Sequence, residues 1–209
     1  LNGTRLVALR HGQTEWNAAM RLQGHRDIAL DATGRDQATR LAGALVGEGI
    51  EAIYSSDLER ALHTAQATAT RLGLPVVADP ALRERGFGRL EGFTYAEIEE
   101  RWPAEAQRWR GRDLAWKPEG GESLPEFRDR CTACFVRLAA AHPGQTVAVF
   151  AHGGVLDVLY RLATHQPLDA PRSWALGNAT INRVLYVGDG TFSLIGWNDD
   201  GHLGASRSG

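Results

Sequence analysis

Apolar residues occur along this chain in two kinds of run. Short unbroken ones, at Leu6 to Leu9, Ala52 to Tyr54, Val76 to Ala78 and within Thr146 to Gly154, have the length of buried strands. Elsewhere apolar residues return at helical spacing. Ala38, Leu41, Ala42 and Leu45 share one face of a helix predicted from a Thr33 cap to about Val46. Ser55, Ser56 and Asp57 read as N-cap residues of a second helix, closed after Leu72 by Gly73, and Val155 to Ala163 reads as a last one. Two capping boxes, Thr94 with Glu97 and Ser123 with Glu126, open helices reaching about Trp102, where Pro103 stops the first, and about His142. Residues 180 to 187 and 191 to 197 flank Gly188-Asp189-Gly190 and predict a hairpin. Alternating strands and helices followed by a hairpin predict an α/β fold, its sheet mostly parallel with an antiparallel edge.

Two predicted strands run without a spacer into the same kind of residue. Leu6 to Leu9 deliver Arg10, His11 and Gly12, and the run from Thr146 delivers His152, Gly153 and Gly154. In an open parallel sheet, ligands collect beyond the carboxyl ends of the strands, so residues remote in sequence can face one crevice. The same edge receives Ser55 to Arg60 and, after the third strand, Arg83 and Glu84. Thr14 to Ile28, polar and irregular, reads as an active-site loop exposing Arg21, Gln23, Gly24, His25 and Asp27.

At 209 residues the chain suits one domain, 1 to 209. The composition changes over 93 to 122, where Trp102, Trp109 and Trp116 fall at every seventh position; this predicts an inserted cap with a helix packed through those tryptophans. A net charge of −2, from 23 basic and 25 acidic residues, leaves no nucleic-acid footprint and no polybasic membrane patch. Only Lys117 among the basic residues is a lysine, so an arginine here signals a site through its position alone. Cys131 and Cys134 form a C-x-x-C, but they share an apolar helical stripe with Phe127, Phe135 and Leu138, and no second pair completes a metal site. No run approaches membrane-spanning length and Leu1 to Arg5 carries no signal-peptide core, so a cytoplasmic location is expected, with the tail from Gly204 to Gly209 disordered. An edge strand and exposed tryptophans would suit a homodimer.

The crevice inventory admits two chemistries. His11, His152 and Glu84 are a conceivable zinc set, but Arg10 adjoins the first of them and keeps its proton, which opposes a cation and favours an anion. Arginine forks match phosphate oxygens, and a helix starting at Ser56 to Leu58 would add backbone donors. Binding alone does not need two histidines. A neutral imidazole among cations is a nucleophile toward phosphorus, and phosphoryl transfer is mostly positioning and neutralisation of charge, for which no metal or other cofactor is required.

RHGQTEWN at 10 to 17, SSDLERALHTA at 55 to 65, LRERGFGRLEG at 82 to 92, GGES at 120 to 123 and AHGG at 151 to 154 together resemble the histidine phosphatase superfamily, also called the phosphoglycerate mutase-like family. The resemblance covers about Arg5 to Asn182. It implies a three-layer α/β/α sandwich, a phosphohistidine intermediate and no metal. Residue by residue, it implies that His11 takes the phosphoryl group, that Arg10, Arg60 and His152 hold its oxygens, and that Asn17 donates a further hydrogen bond. Glu84 would protonate the departing alkoxide and later deprotonate the attacking water. Gln23, Gly24, Gly153 and Asn178 match positions near the phosphate or substrate. His25, His63, His142, His165 and His202 read as surface or structural residues.

Within that family, mutases typically read Gly-Asn-Ser after the second histidine, where this chain has Gly153-Gly154-Val155. Mutases also carry a longer insertion with a basic cluster that Arg108, Arg110, Arg112 and Lys117 do not clearly match. Both departures point to a metal-independent phosphatase acting on a small phosphorylated metabolite, favoured at acidic to neutral pH because Glu84 must carry a proton to act as acid. A bisphosphoglycerate-primed mutase and a non-catalytic phospholigand-binding module are the alternatives. The leaving group stays open among sugar phosphates, phosphoglycerates, nucleotide monophosphates and cofactor-precursor phosphates.

Overall fold

The computed structural model describes residues 3 to 204; Leu1, Asn2 and the tail from 205 to 209 lie outside the described residues, and with them most of the expected tail disorder. Six strands, β1 (Thr4–Arg10), β2 (Ala52–Ser55), β3 (Val76–Ala78), β4 (Thr146–Ala151), β5 (Ile181–Gly188) and β6 (Thr191–Asp199), form one sheet in the order β3-β2-β4-β1-β5-β6. The first four run parallel; β5 joins β1 antiparallel, and β6 completes the edge antiparallel to β5. Asp189 and Gly190 turn the hairpin with φ of 50° and 77°, the pair of positive values whose twist matches that of two-residue hairpin loops.

Seven helices, α1 (Glu15–Ala18), α2 (Ala32–Ala44), α3 (Glu59–Leu72), α4 (Tyr95–Arg101), α5 (Pro103–Arg110), α6 (Leu124–Ala140) and α7 (Gly153–Thr164), accompany the sheet. Successive strand residues point to opposite faces. Leu6 and Ala8 of β1 and Val147 and Val149 of β4 pack with Phe135 and Leu138 of α6 and Leu156 and Leu159 of α7. Val7, Leu9, Ala148 and Phe150 face the other way, onto Leu41 of α2 and Ala65 and Ala69 of α3. With both faces covered, the central strands need apolar residues at every position, which is why they read as unbroken runs. Cys131 and Cys134 are buried in the α6 stripe. No helix among the described residues is long and apolar enough to cross a membrane.

Three local expectations change. Asp31, not Thr33, caps α2: its carboxylate accepts the Gly34 amide at 2.7 Å, and Thr33 falls inside the first turn. α3 starts at Glu59, later than Ser55 to Asp57, because Ser55 still belongs to β2 and the Ser56 amide donates to Phe150 at 2.9 Å. The helix is capped from outside, where Asp27 accepts the Glu59 amide at 2.7 Å, so the expected backbone donors at Ser56 to Leu58 do not stand at an open helix end. Finally, the three tryptophans do not share a helix. Trp102 sits where α4 meets α5, Trp109 lies in α5, and Trp116 follows it; all turn inward to a third apolar cluster with Phe87, Leu90 and Ile98.

Candidate active site

The register of the sheet builds the site. β4 lies between β1 and β2, with Arg10 opposite Ala151 and Ser55 opposite Phe150, so the three strands end nearly level. His11, Ser56 and His152 therefore emerge side by side, and the two imidazole centroids are 5.2 Å apart.

His11 is buried, and its Nδ1 lies 2.7 Å from the Gly12 carbonyl. A carbonyl only accepts, so Nδ1 carries the proton and Nε2 presents its lone pair. Burial, then the charges of Arg60 and Arg10, hold the pKa of His11 well below the usual 6.5. The same burial and Arg60 keep His152 neutral. His152 Nε2 lies 2.8 Å from the Ser56 hydroxyl, which accepts from the Leu58 amide at 3.3 Å and is left to donate to the ring. That tautomer puts the His152 proton on Nδ1, which is buried without a partner.

Arg60 is 1% exposed, with Nη1 and Nη2 tied to the carbonyls of Arg26 and Gly24, each at 2.8 Å. Burial brings this guanidinium down to about 10, so it stays charged at neutral pH. Arg10 is held through Nη1 by the Leu176 carbonyl at 2.5 Å, and burial lowers its pKa while Glu84 opposes the shift. The Nε atoms of both arginines are buried and unpartnered, like Nδ1 of His152. A buried donor left unsatisfied costs about 1–3 kcal/mol, more if charged, so three at one place point to an anion that completes them.

Glu84 stands opposite. Its Oε1 accepts the Arg85 amide at 2.8 Å and its Oε2 the Gly154 amide at 2.9 Å, at the start of α7. A Cβ on residue 154 would lie 2.2 Å from Glu84 Oε1, so glycine there is the condition for the carboxylate's position. A cavity of about 160 Å³ has Arg10, His11, Asn17, Gln23, Arg60 and Glu84 on its walls, whereas His152, fully buried beside His11, is not part of its lining. A larger hollow of about 630 Å³ between α2 and α3 includes none of these residues, so size does not choose the site.

The loop after β1 is better ordered than its composition predicts. Thr14 and Asn17 form a capping box on α1, and Gln23 and Gly24 are buried where exposure was expected. Gln23 accepts from the Thr14 hydroxyl at 2.9 Å. Gly24, with φ of 51°, turns its carbonyl to Arg60. Asn17 Oδ1 accepts from the Thr14 amide at 3.0 Å, which leaves its Nδ2 as the donor end. Asn178 sits behind the cavity: its Nδ2 donates to the His11 carbonyl at 3.0 Å and lies 3.4 Å from Asn17 Oδ1. Gly153 borders a second, adjoining cavity.

That second cavity, about 240 Å³, holds residues that sequence reasoning missed. Arg85 is 3% exposed and packs over Phe87 and Trp116; burial brings it to about 10, and its Nη2 has no partner. Asp157 meets Arg112 at 3.2 Å and Arg161 and Arg172 each at 2.9 Å, one carboxylate among three guanidiniums. Of the four cations weighed in the cap, Arg108, Arg110 and Lys117 pair on the surface with Asp113, Glu99 and Glu126, and only Arg112 lines this cavity. Arg85 adjoins Glu84, and Asp157 follows Gly153 by one helical turn, so both had a local signal; Arg172 had none. Among the described residues no three His, Cys, Asp or Glu side chains gather as a metal site requires.

Two buried neutral imidazoles make stability depend on pH. In the unfolded chain they take up protons near pH 6.5, whereas in the fold burial and Arg60 depress that uptake. The unfolded state then binds more protons, so stability is full above about pH 6.5 and falls below it, by up to about 1.4 kcal/mol per pH unit per histidine. Urea unfolding midpoints from about pH 7.5 to pH 5 check this, and His11→Asn should shrink the loss.

Comparison with known proteins agrees with this geometry. Residues 6 to 200 match the histidine phosphatase superfamily, branch 1. The chain is 39% identical to phosphoglycerate mutase-like protein 4 of Arabidopsis thaliana, covering 95% of this chain and 86% of that one. It is 38% identical to the glucosyl-3-phosphoglycerate phosphatase of Mycolicibacterium vanbaalenii, covering 94% and 92%. The solved mycobacterial glucosyl-3-phosphoglycerate phosphatase complexed with VO3 superposes with a TM-score of 0.84 at 35% identity, covering 93% of this chain and 99% of that one. The chain belongs to the histidine phosphatase superfamily, branch 1, as a phosphomonoesterase.

Proposed function

We propose that this enzyme hydrolyses a small phosphomonoester through a phosphohistidine on His11. The observation that carries the reading is the set of unpartnered buried donors, Arg10 Nε, Arg60 Nε and His152 Nδ1, on the residues next to or charge-coupled with His11, whose Nε2 is the unprotonated nitrogen. Nε2 attacks phosphorus as the bond to the substrate oxygen breaks, and Glu84 gives its proton to the departing alkoxide. The arginines, His152 and Asn17 Nδ2 take the charge on the equatorial oxygens. Water then attacks the phosphohistidine, Glu84 removes its proton, and phosphate leaves with His11 restored.

The second cavity supports a leaving group that itself carries an anion. Arg10, Arg85, Arg112 and Arg172 stand there against Glu84 and Asp157, a balance of four positive to two negative charges. Phe87, Trp109 and Phe127 supply an apolar wall. Residues 93 to 122 contribute Trp109 and Arg112, which supports their role as a cap over the leaving group on one domain formed by the rest. The phosphoglycerate unit named in the mycobacterial relative carries such a carboxylate. A homodimer finds support at the edge strand β6, where Leu194 and Ile195 are 38% and 53% exposed, and not at the tryptophans.

Phosphate release measured with EDTA present, from p-nitrophenyl phosphate and from 3-phosphoglycerate, tests both parts. Arg85→Met should raise KM for 3-phosphoglycerate about tenfold and leave p-nitrophenyl phosphate within about twofold. Equal effects on the two substrates would remove the anion subsite. Conversion of 3-phosphoglycerate to its 2-isomer in place of free phosphate would make the enzyme a mutase, and binding without turnover would make it a phospholigand module.

A further inference from the structure

A β-bulge near the end of the hairpin reaches back to the phosphoryl site. Ile181 pairs with Asp199 and Arg183 with Gly196, so β5 advances two residues where β6 advances three. The extra residue bends the strand and re-aims its side chains. Asn198, within this step, has φ of 54°, a left-handed conformation that asparagine tolerates better than most residues.

The bulge turns two side chains toward the segment that leads into β5. Trp197 Nε1 donates to the Ala175 carbonyl at 3.0 Å, and Asn198 Oδ1 accepts the Gly177 amide at 2.8 Å. Asn198 is braced in turn: its own amide donates to Asn182 Oδ1 at 2.8 Å, and Asn182 Nδ2 donates to the Ala8 carbonyl of β1 at 3.1 Å. No other acceptor among the described residues meets the Gly177 amide.

The Gly177 N–H and the Leu176 carbonyl are the two ends of one planar peptide group and point in opposite directions. The carbonyl end is the one that accepts from Arg10 Nη1. We propose that Asn198 is a positioning residue for phosphoryl binding: by holding the amide end of the Leu176–Gly177 peptide, it fixes the carbonyl that orients the Arg10 guanidinium. Rotation of that peptide would swing the carbonyl away and leave Arg10 without its anchor. The proposal rests on the reading of Arg10 as a phosphoryl ligand.

Asn198→Gly keeps the left-handed backbone and deletes the carboxamide, while Asn198→Asp keeps an acceptor oxygen. The probe is orthovanadate inhibition of p-nitrophenyl phosphate hydrolysis, read beside KM, kcat and the thermal midpoint. In Asn198→Gly the vanadate inhibition constant and KM should rise about tenfold, more than kcat falls, with the midpoint little changed. Asn198→Asp should return both to within about threefold of the wild type. In an Arg10→Met background, with binding read directly, Asn198→Gly should add nothing, because its effect passes through Arg10. Unchanged vanadate affinity in Asn198→Gly while Arg10→Met weakens it overturns the proposal, as does a loss that adds in full to that of Arg10→Met. Vanadate binding unaffected by Arg10→Met overturns it together with the phosphoryl role of Arg10, so the two failures are distinct. If the glycine variant does not fold, Asn198→His takes its place, since histidine also tolerates the left-handed region and lacks the amide oxygen.

Discussion

His11→Asn should lower kcat by at least about 10⁴-fold and leave no phosphorylated protein on rapid acid quench with labelled substrate. The size follows from what the imidazole does that no neighbour can. Its Nδ1–H donates to the Gly12 carbonyl at 2.7 Å, and burial with Arg60 and Arg10 keeps Nε2 unprotonated, so in the proposed mechanism Nε2 would attack without a separate base. His152 cannot substitute, because its Nε2 is occupied by Ser56 at 2.8 Å. Asparagine carries no comparable nucleophilic lone pair. The arginines remain, so vanadate should still bind, and that separation of binding from turnover identifies the lost group as the nucleophile. Turnover within about tenfold of wild type, or label still appearing on the variant, would exclude His11 from that role.

Glu84→Gln should be the second largest loss, about 10² to 10⁴-fold in kcat for alkyl phosphates. Glutamine preserves the volume and one of the two acceptor oxygens, so either the Gly154 or the Arg85 amide keeps its partner and the other meets an NH2; folding is expected to survive the loss of that one hydrogen bond. In the proposed mechanism, what would disappear is the proton for the leaving group and, in the second step, the base for water. The two steps can be told apart with p-nitrophenyl phosphate, whose leaving group is a stable anion near neutral pH and needs no acid. A burst of nitrophenolate with accumulation of phosphoenzyme is the expected signature. Gly154→Ala should reproduce part of this loss, since its Cβ would lie 2.2 Å from Oε1 and must push the carboxylate off the start of α7. Equal slowing of both substrates in Glu84→Gln, with no burst, would assign the acid and base to another group.

Much of this was legible because it is written in contiguous residues. Unbroken apolar runs announced strands covered on both faces, the capping boxes at Thr94 and Ser123 announced α4 and α6, and two strand ends announced the histidines. The alternation of strands and helices is also local, and it implies a parallel sheet whose carboxyl edge collects the chemistry. The failures share a cause. Asp27 caps α3 from 32 residues away, and Ser56 serves His152, 96 residues on, in place of a helix end. Gln23 and Gly24 are buried by partners that hydropathy does not reveal.

The sequence by itself determined the fold class, the crevice and the charge type of its ligand, since strand-end position and side-chain chemistry do not depend on distant partners. Only the tertiary structure decided which arginines pair on the surface and which line a cavity. In a chain with a single lysine, composition cannot make that distinction. Arg108 and Arg110 find exposed carboxylates within residues 93 to 122, whereas Arg85 is buried with a donor unmet and Arg112 shares Asp157 with Arg161 and Arg172. A guanidinium acts on a ligand when folding leaves its donors dry and only partly paired, and that is settled by contacts between remote segments.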